Sequence, residues 1–215
     1  MKKLLLLIFF VVGCDNNSTE PNICDGAVYV EGYNCDGMPS EFEFVISPVS
    51  AQYYFVKLKI NEAVVDSGYW IGAYNGDVCV GASQYNTSDC GNGVCEVMVY
   101  GIYEGEFCMG SHMVSEEDDC ISEGYTWGNP SDGYMEEGDI PSFKIFDSSN
   151  LKYYKAIPSE NVEWENYNWA IIDALNVIED CNGELGGYAV IDECGICAGN
   201  GMPEDELGCP WMTEF

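Results

Sequence analysis

Apolar and polar residues alternate along much of the middle of the chain. Residues 53–60 read YYFVKLKI, with Lys57 and Lys59 opposite the aliphatic side chains, and residues 41–46 read EFEFVI. Because successive side chains of a strand point to opposite faces, this period of two predicts half-buried β-strands. Three further segments share the same β-branched and aromatic character: 95–103, 142–146 and 151–157.

The segment at the centre of this pattern is 69–82, YWIGAYNGDVCVGA, in which two apolar runs flank Asn75-Gly76. A type I′ turn requires positive φ at both central residues, and Asn and Gly adopt that conformation at least cost. We therefore predict a central β-hairpin that turns at Asn75-Gly76. Gly101, inside 95–103, predicts a bulge or a close approach of another segment.

The apolar residues of 164–178, WENYNWAIIDALNVI, fit both the period of a helix and the period of a strand. A helix would align Ile171, Leu175 and Ile178, but we predict a closing strand. Many short strands separated by frequent turns indicate an all-β fold. We predict an antiparallel β-sandwich, of jelly-roll or immunoglobulin-like type, over residues 41–178.

The first residues have the pattern of a targeting segment. Lys2 and Lys3 precede an apolar run that is shorter than the ~20 residues needed to cross a bilayer. The run ends in Val11-Val12-Gly13-Cys14, which resembles a bacterial lipobox. In that family, signal peptidase cuts before the cysteine and its thiol carries diacylglycerol. An ordinary secretory signal that ends near a cysteine is the alternative.

Four regions follow from these patterns. They are a signal peptide at 1–13, a tether at 14–40 with a small Cys24/Cys35 element, the β-domain at 41–178, and a tail at 179–215. Lipidation of Cys14 predicts an extracytoplasmic protein of the bacterial cell envelope, anchored to the outer membrane or the cell surface.

The charge balance narrows the range of partners. Seven Lys and Arg residues face 37 Asp and Glu residues, a formal net charge of −30. Such a surface repels nucleic acid and anionic lipid and disfavours anionic substrates, whereas it suits divalent cations, basic partners or a salty medium. A solubilising acidic surface is the simplest interpretation.

The 12 cysteines agree with export, because cysteines in an oxidising compartment form disulfides. Lipidation of Cys14 leaves an odd number, and we expect Cys79, on a hairpin strand without a local partner, to be buried and reduced. The other ten are predicted to pair locally: Cys24–Cys35, Cys90–Cys95, Cys108–Cys120, Cys181–Cys194 and Cys197–Cys209, although the last four allow three connectivities.

The tail is rich in Gly and Cys and too small to fold without cross-links or metal. Cys194-Gly-Ile-Cys197 has CxxC spacing, but a zinc site needs a second pair or His partners, and a redox motif needs a βαβ context. Structural disulfides are the favoured interpretation, and we predict no cofactor other than calcium.

The calcium candidate begins at Asp180. Together with Asn182 and Glu184, it places oxygen side chains at positions 1, 3 and 5 of a loop. Position 6 is Leu185 in place of Gly, and position 12 lacks the usual Glu, although Asp192 lies one residue later. A polar turn without metal is the alternative.

Two longer patterns give a resemblance. Residues 180–199 read DCNGELGGYAVIDECGICAG, and residues 70–82 and 138–147 read WIGAYNGDVCVGA and GDIPSFKIFD. They resemble a Cys-rich repeat, and the β-rich domain that precedes it, in secreted proteins of marine bacteria. The resemblance implies an extracellular β-sandwich module joined to a disulfide-rich repeat, and it implies no catalytic residue.

No catalytic constellation is apparent, and we predict that the protein is not an enzyme. His112 is the only histidine, and no segment of the sequence resembles a G-x-S-x-G nucleophile elbow. Exposed aromatic residues are the better candidates for contact with sugars or proteins. The candidates are Tyr125, Trp127, Tyr134, Trp164 and Tyr167, although packing and shielding of sheet edges is the favoured interpretation for most of them, and we place Trp70 in the core.

These features predict a membrane-anchored binding or adhesion module for a glycan or protein partner. A structural spacer of the envelope without a specific ligand is the alternative, and a hydrolase is a weaker one.

Overall fold

The computed structural model describes residues 32–34, 37–109, 116–124, 126–129, 131–192 and 194–198. These residues are mainly β-structure, with one short helix, α1 (Glu117–Ser122). The strands are β1 (Ser50–Ile60), β2 (Ala63–Val65), β3 (Tyr69–Asn75), β4 (Val78–Tyr85), β5 (Cys95–Tyr100), β6 (Phe107–Met109), β7 (Thr126–Gly128), β8 (Ser142–Asp147), β9 (Lys152–Pro158) and β10 (Trp169–Val177).

Eight of these strands form one curled, mixed sheet in the order β2-β1-β10-β9-β8-β3-β4, and β5 also pairs with β1. β1 and β10 run parallel, with Gln52 opposite Trp169 and Ile60 opposite Val177. The prediction of an antiparallel sheet is therefore wrong at this pair, because alternation shows which residues are buried but not the direction of the neighbouring strand. A β-sandwich is not confirmed, since the ladder continues from β9 to β10.

The predicted closing strand and central hairpin are both present, but the hairpin turn differs from the prediction. Asn75 pairs with Val78, so Gly76 and Asp77 form the two-residue loop. Gly76 has a φ of 57°, whereas Asn75 belongs to the strand. The Asn75 side chain donates instead to the carbonyl oxygens of Gly133 and Tyr134, at 3.2 and 3.1 Å. Asn75 thus ties the hairpin to a neighbouring loop.

The inner faces of the curled sheet form the main core. Tyr53 and Phe55 on β1 pack against Phe143 on β8, with ring centroids 6.0 and 5.1 Å apart. Trp164 closes one end, and its indole N–H donates to the carbonyl of Val99 at 3.0 Å. A Cβ at Gly101 would overlap the Trp164 ring, which confirms the predicted close approach.

A second apolar cluster lies on the outer face of the hairpin and of β8 and β9. Phe42 is fully buried there, with ring contacts to Tyr74 and Tyr153 at 6.2 and 5.4 Å. Tyr33 packs against Phe146 at 5.3 Å. The prediction of a strand at 41–46 is wrong, because Ser40–Phe42 is a 3-10 helix and residues 43–49 form no strand. The aromatic residues in this segment cover a sheet instead of belonging to one.

The part of the chain between β5 and β8 contains a small unit of its own. β6 and β7 pair there, and α1 lies beside them. The predicted Cys108–Cys120 disulfide is present and joins β6 to α1. Glu117, Asp118 and Asp119 occupy the first turn of α1, where carboxylates interact favourably with the helix dipole.

The tail is joined to the sheet through β9. The Lys155 N–H donates to the carbonyl of Gly186 at 2.9 Å, and a Cβ at Gly186 would overlap Tyr154. Cys181 pairs with Cys197, so the predicted pairings Cys181–Cys194 and Cys197–Cys209 are both wrong. The reason is a repeated turn that brings these two positions together, described below.

Candidate functional site

The most exposed large apolar side chains of the sheet lie on β10. Trp169 is 72% exposed and Ile171 is 68% exposed. Ala170, between them, and Ile172, after them, are buried in the core. The alternation of the strand therefore directs Trp169 and Ile171 outward, and Ala170 and Ile172 inward. An exposed tryptophan side chain contributes a large favourable free energy to binding when a partner buries it.

The strand register assembles the neighbours of these two residues into two rows. Gln52 on β1 lies opposite both Trp169 and Met98, which forms the first row. Tyr54 on β1 lies opposite both Ile171 and Glu96, which forms the second row. We call these six outward-facing residues of β5, β1 and β10 the platform: Gln52, Tyr54, Glu96, Met98, Trp169 and Ile171.

Tyr54 and Glu96 are linked within the platform. Desolvation first, and then the neighbouring Glu96 carboxylate, raises the pKa of the Tyr54 hydroxyl. Tyr54 and Glu96 are partners in the strand register, and both side chains also line the cleft beside the platform.

An open cleft of about 510 Å³ adjoins the platform where β4 and β5 diverge. β4 and β5 touch at Gly81 and Met98, yet no backbone hydrogen bond between described residues joins the two strands. The Cys90–Cys95 disulfide, present as predicted, closes the loop that forms one wall. We call this opening between β4 and β5 the seam cleft. The polar side chains that line it are Tyr54, Ser83, Gln84, Asn86, Asp89 and Glu96.

The chain enters β10 through a constrained turn. Tyr167 is 76% exposed and has a φ of 62°, a left-handed conformation that is unfavourable for a bulky residue. Its N–H donates to the carbonyl of Ser50 at 2.9 Å, and the Asn166 side chain accepts from the Ser50 N–H at 3.1 Å. These bonds hold a strained, exposed aromatic residue two positions before Trp169. Such strain concentrates at functional sites.

The predicted aromatic candidates divide into two groups. Tyr167 is exposed, but Tyr134 and Trp164 are buried, at 5% and 3% exposure. Trp127 is partly exposed, and its indole N–H donates to Glu106 at 3.2 Å. Trp70 packs against the second apolar cluster, and Tyr125 and His112 lie outside the described residues.

Sequence reasoning missed Trp169. The usable signal was Asp173, which shares the face of Trp169 and Ile171 on a strand and therefore marks that face as the exposed one. Our prediction considered the aliphatic residues of this segment and did not assign Trp169 a role.

The calcium candidates lie in two similar turns twelve residues apart. In each, the Asp Oδ1 accepts hydrogen bonds from the backbone N–H groups two and four residues later, at 2.8 to 3.0 Å. A glycine with positive φ follows each aspartate by three residues, Gly183 after Asp180 and Gly195 after Asp192. Asn34 shares two of these features: its Oδ1 accepts from the N–H of Met38, four residues later, at 2.9 Å, and Gly37, three residues later, has a φ of 77°.

Asp180 is saturated with backbone donors. Its Oδ2 also accepts from the Ala189 N–H at 3.0 Å, and these hydrogen bonds, that from Glu184 first, lower the pKa of the carboxyl group. Asn182 Oδ1 lies 3.1 Å from the Sγ of Cys197. Within the described residues, no three acidic, Cys or His side chains gather to hold a metal. Calcium binding here stays a prediction.

The described cysteines agree with the predicted disulfides except in the tail. Cys79 is free and buried, as predicted. Cys194 is disulfide-bonded. The lipidation candidate Cys14, and Cys24, Cys35 and Cys209, lie outside the described residues.

Comparison with protein-family models, with curated proteins and with solved structures found no match to this chain. Within the described part of the chain, no helix has the length and apolar character needed to span a bilayer.

Proposed function

We propose that this protein is a lipid-anchored, extracytoplasmic binding or adhesion module of the bacterial cell envelope, and that the platform is its binding surface for a glycan or protein partner. The observation that carries the proposal is the exposure of Trp169 and Ile171 on a regular strand. A strand that only completes the core would place polar residues at these positions.

The other half of the sheet supports this interpretation by contrast. There, the chain covers its own outer apolar face with Tyr33, Met38, Phe42 and Phe44. The platform has no such cover among the described residues. Aromatic and aliphatic side chains that stay exposed beside an open cleft are typical of recognition surfaces.

The anchor is proposed from the sequence around Cys14. Diacylglycerol with a further acyl chain supplies the two or three chains that stable membrane attachment needs. Cys14→Ser is expected to move the protein from the membrane fraction to the soluble fraction of cells, with Cys79→Ser as the matched control that stays in the membrane. Membrane retention of the Cys14→Ser protein would contradict lipid anchoring.

Binding is tested by sedimentation of the full-length protein with insoluble cellulose, chitin and mannan, and by a glycan array. We expect retention that Trp169→Ala abolishes and that Tyr188→Ala, which removes an exposed aromatic residue of the tail, leaves intact. Equal retention of both variants would reject the platform. No retention of the wild type on any glycan or envelope protein would favour the spacer role.

A further inference from the structure

We propose that the platform and the seam cleft are two subsites for one linear, uncharged glycan chain, which crosses the strands from Trp169 to Gln84. This inference rests on the proposed function and specifies the class of ligand. Trp169 supplies the stacking surface at one end, and the polar side chains of the cleft bind hydroxyl groups at the other.

The two subsites form one continuous surface. Trp169 lies on β10, Gln52 and Tyr54 on β1, and Glu96 on β5, while Gln84 lies on β4 across the cleft. Adjacent paired strands are 4.7 to 4.9 Å apart, so the path from β10 across β1 to β5 spans about 10 Å, and the cleft to β4 extends it further. Tyr54 belongs to both subsites, because it lies in the platform row of Ile171 and Glu96 and also lines the cleft. A path this long across the strands suits an extended chain better than a single sugar ring.

The charge of the surface selects against an acidic chain. No lysine belongs to the platform or lines the cleft, all of whose residues the structure describes. The neighbouring Lys57 is paired with Asp173 at 3.1 Å. Glu96 and Asp89 place two carboxylates along the path. A uronic acid or sulfated polymer would be repelled, whereas hydroxyl groups can donate to these oxygens.

The mixture of groups also favours a sugar over a protein surface. Two exposed or half-exposed amides, Gln52 and Gln84, flank the aromatic residues and offer both donors and acceptors. Sugar rings combine an apolar face with a rim of hydroxyl groups, which matches aromatic rings bordered by amides and carboxylates. A protein partner of this acidic molecule would instead supply lysine or arginine against Glu96 and Asp89.

The test is calorimetric titration of the full-length protein with cello-, manno- and chito-oligosaccharides of two, four and six rings, and with oligogalacturonides of the same lengths. For the neutral series that binds, affinity is expected to rise about tenfold from two rings to four, because a second subsite adds contacts. Trp169→Ala and Gln84→Ala should each lower tetrasaccharide affinity by about tenfold and remove most of the length dependence. Tyr188→Ala is the matched control.

The outcomes separate the two proposals. Binding that Trp169→Ala abolishes, but that neither chain length nor Gln84→Ala changes, overturns the two-subsite inference and leaves the proposed function standing. Tighter binding of oligogalacturonides than of every neutral series overturns it as well. A protein dimer that Trp169→Ala dissociates would make the platform a contact between copies of this chain. That result, or no binding in any series, also overturns the inference.

Discussion

The backbone at Gly81 on β4 lies directly against the carbonyl of Met98 on β5, so closely that a Cβ at position 81 would overlap the Met98 oxygen. This contact is where the curled sheet comes nearest to closing. Beyond it, the two strands diverge and the seam cleft opens. The contact between these two residues therefore sets both the curvature of the sheet and the width of the cleft.

Gly81→Ala is expected to destabilise the fold by about 3 kcal/mol, because the added methyl meets backbone that cannot rotate away. Urea denaturation measures the change. Gly91→Ala is the matched control, since a Cβ there meets nothing within 4 Å. If both substitutions leave the midpoint unchanged, β4 and β5 are not in contact as described.

The two tryptophans at either side of the β10 entry turn should behave in opposite ways. Trp164→Ala should cost about 3–5 kcal/mol, because it removes a buried ring and leaves the Val99 carbonyl without its donor. Trp169→Ala should change the free energy of unfolding by less than about 0.5 kcal/mol, because its side chain is mostly exposed. Thermal and urea unfolding compare them. A large loss of stability from Trp169→Ala would place that ring in the core.

The tail should loosen in acid through Asp180. In the folded protein, backbone hydrogen bonds to the Asp180 carboxylate, that from Glu184 first, lower the pKa of this group. The carboxylate therefore stabilises the fold above its unfolded pKa of about 3.9. That stabilisation is lost as the pH falls through the pKa of the folded state. Hydrogen exchange of the peptide that contains residues 180–190 should speed up over that range.

Asp180→Asn is the control for this pH effect. Asn34 shows that an asparagine Oδ1 can accept the hydrogen bond from the N–H four residues later, so the variant should keep the turn while losing the acid response. An unchanged acid response in Asp180→Asn would assign the effect to another carboxyl group.

Cys79 should resist alkylation in the native protein. Its thiol is free and buried, and desolvation raises its pKa, so little thiolate is formed or accessible. Iodoacetamide labelling at pH 8, read by mass spectrometry, should be at least about tenfold slower in the native protein than in guanidinium chloride. Equal rates, or Cys79 in a disulfide, would contradict the described core.

The sequence predicts most strands because burial on one face leaves a period of two. β1, β8, β9 and the central hairpin are recognisable in this way. The same period misled at 41–46, where Phe42 and Phe44 cover the sheet from outside. Alternation reports that one side of a segment is buried, and both a strand and a covering segment meet that condition.

Features that depend on distant partners were not predictable in the same way. The parallel pairing of β1 with β10 leaves no local trace, whereas the outward direction of Trp169 is marked locally by Asp173 on the same face. The pairing of Cys181 with Cys197 was readable in principle. Asp180 and Asp192, each followed by glycine three residues later, repeat with a spacing that stacks one turn on the other.

The most direct test of the platform is oxidative footprinting of the full-length protein, free and bound to the insoluble glycan that retains it among cellulose, chitin and mannan. Mass spectrometry then measures the oxidation of Trp169 and of Tyr188. We predict that bound glycan protects Trp169 strongly and leaves Tyr188 unprotected. Oxidation of Trp169 at the same rate in the free and bound protein would contradict binding through the β5–β1–β10 face.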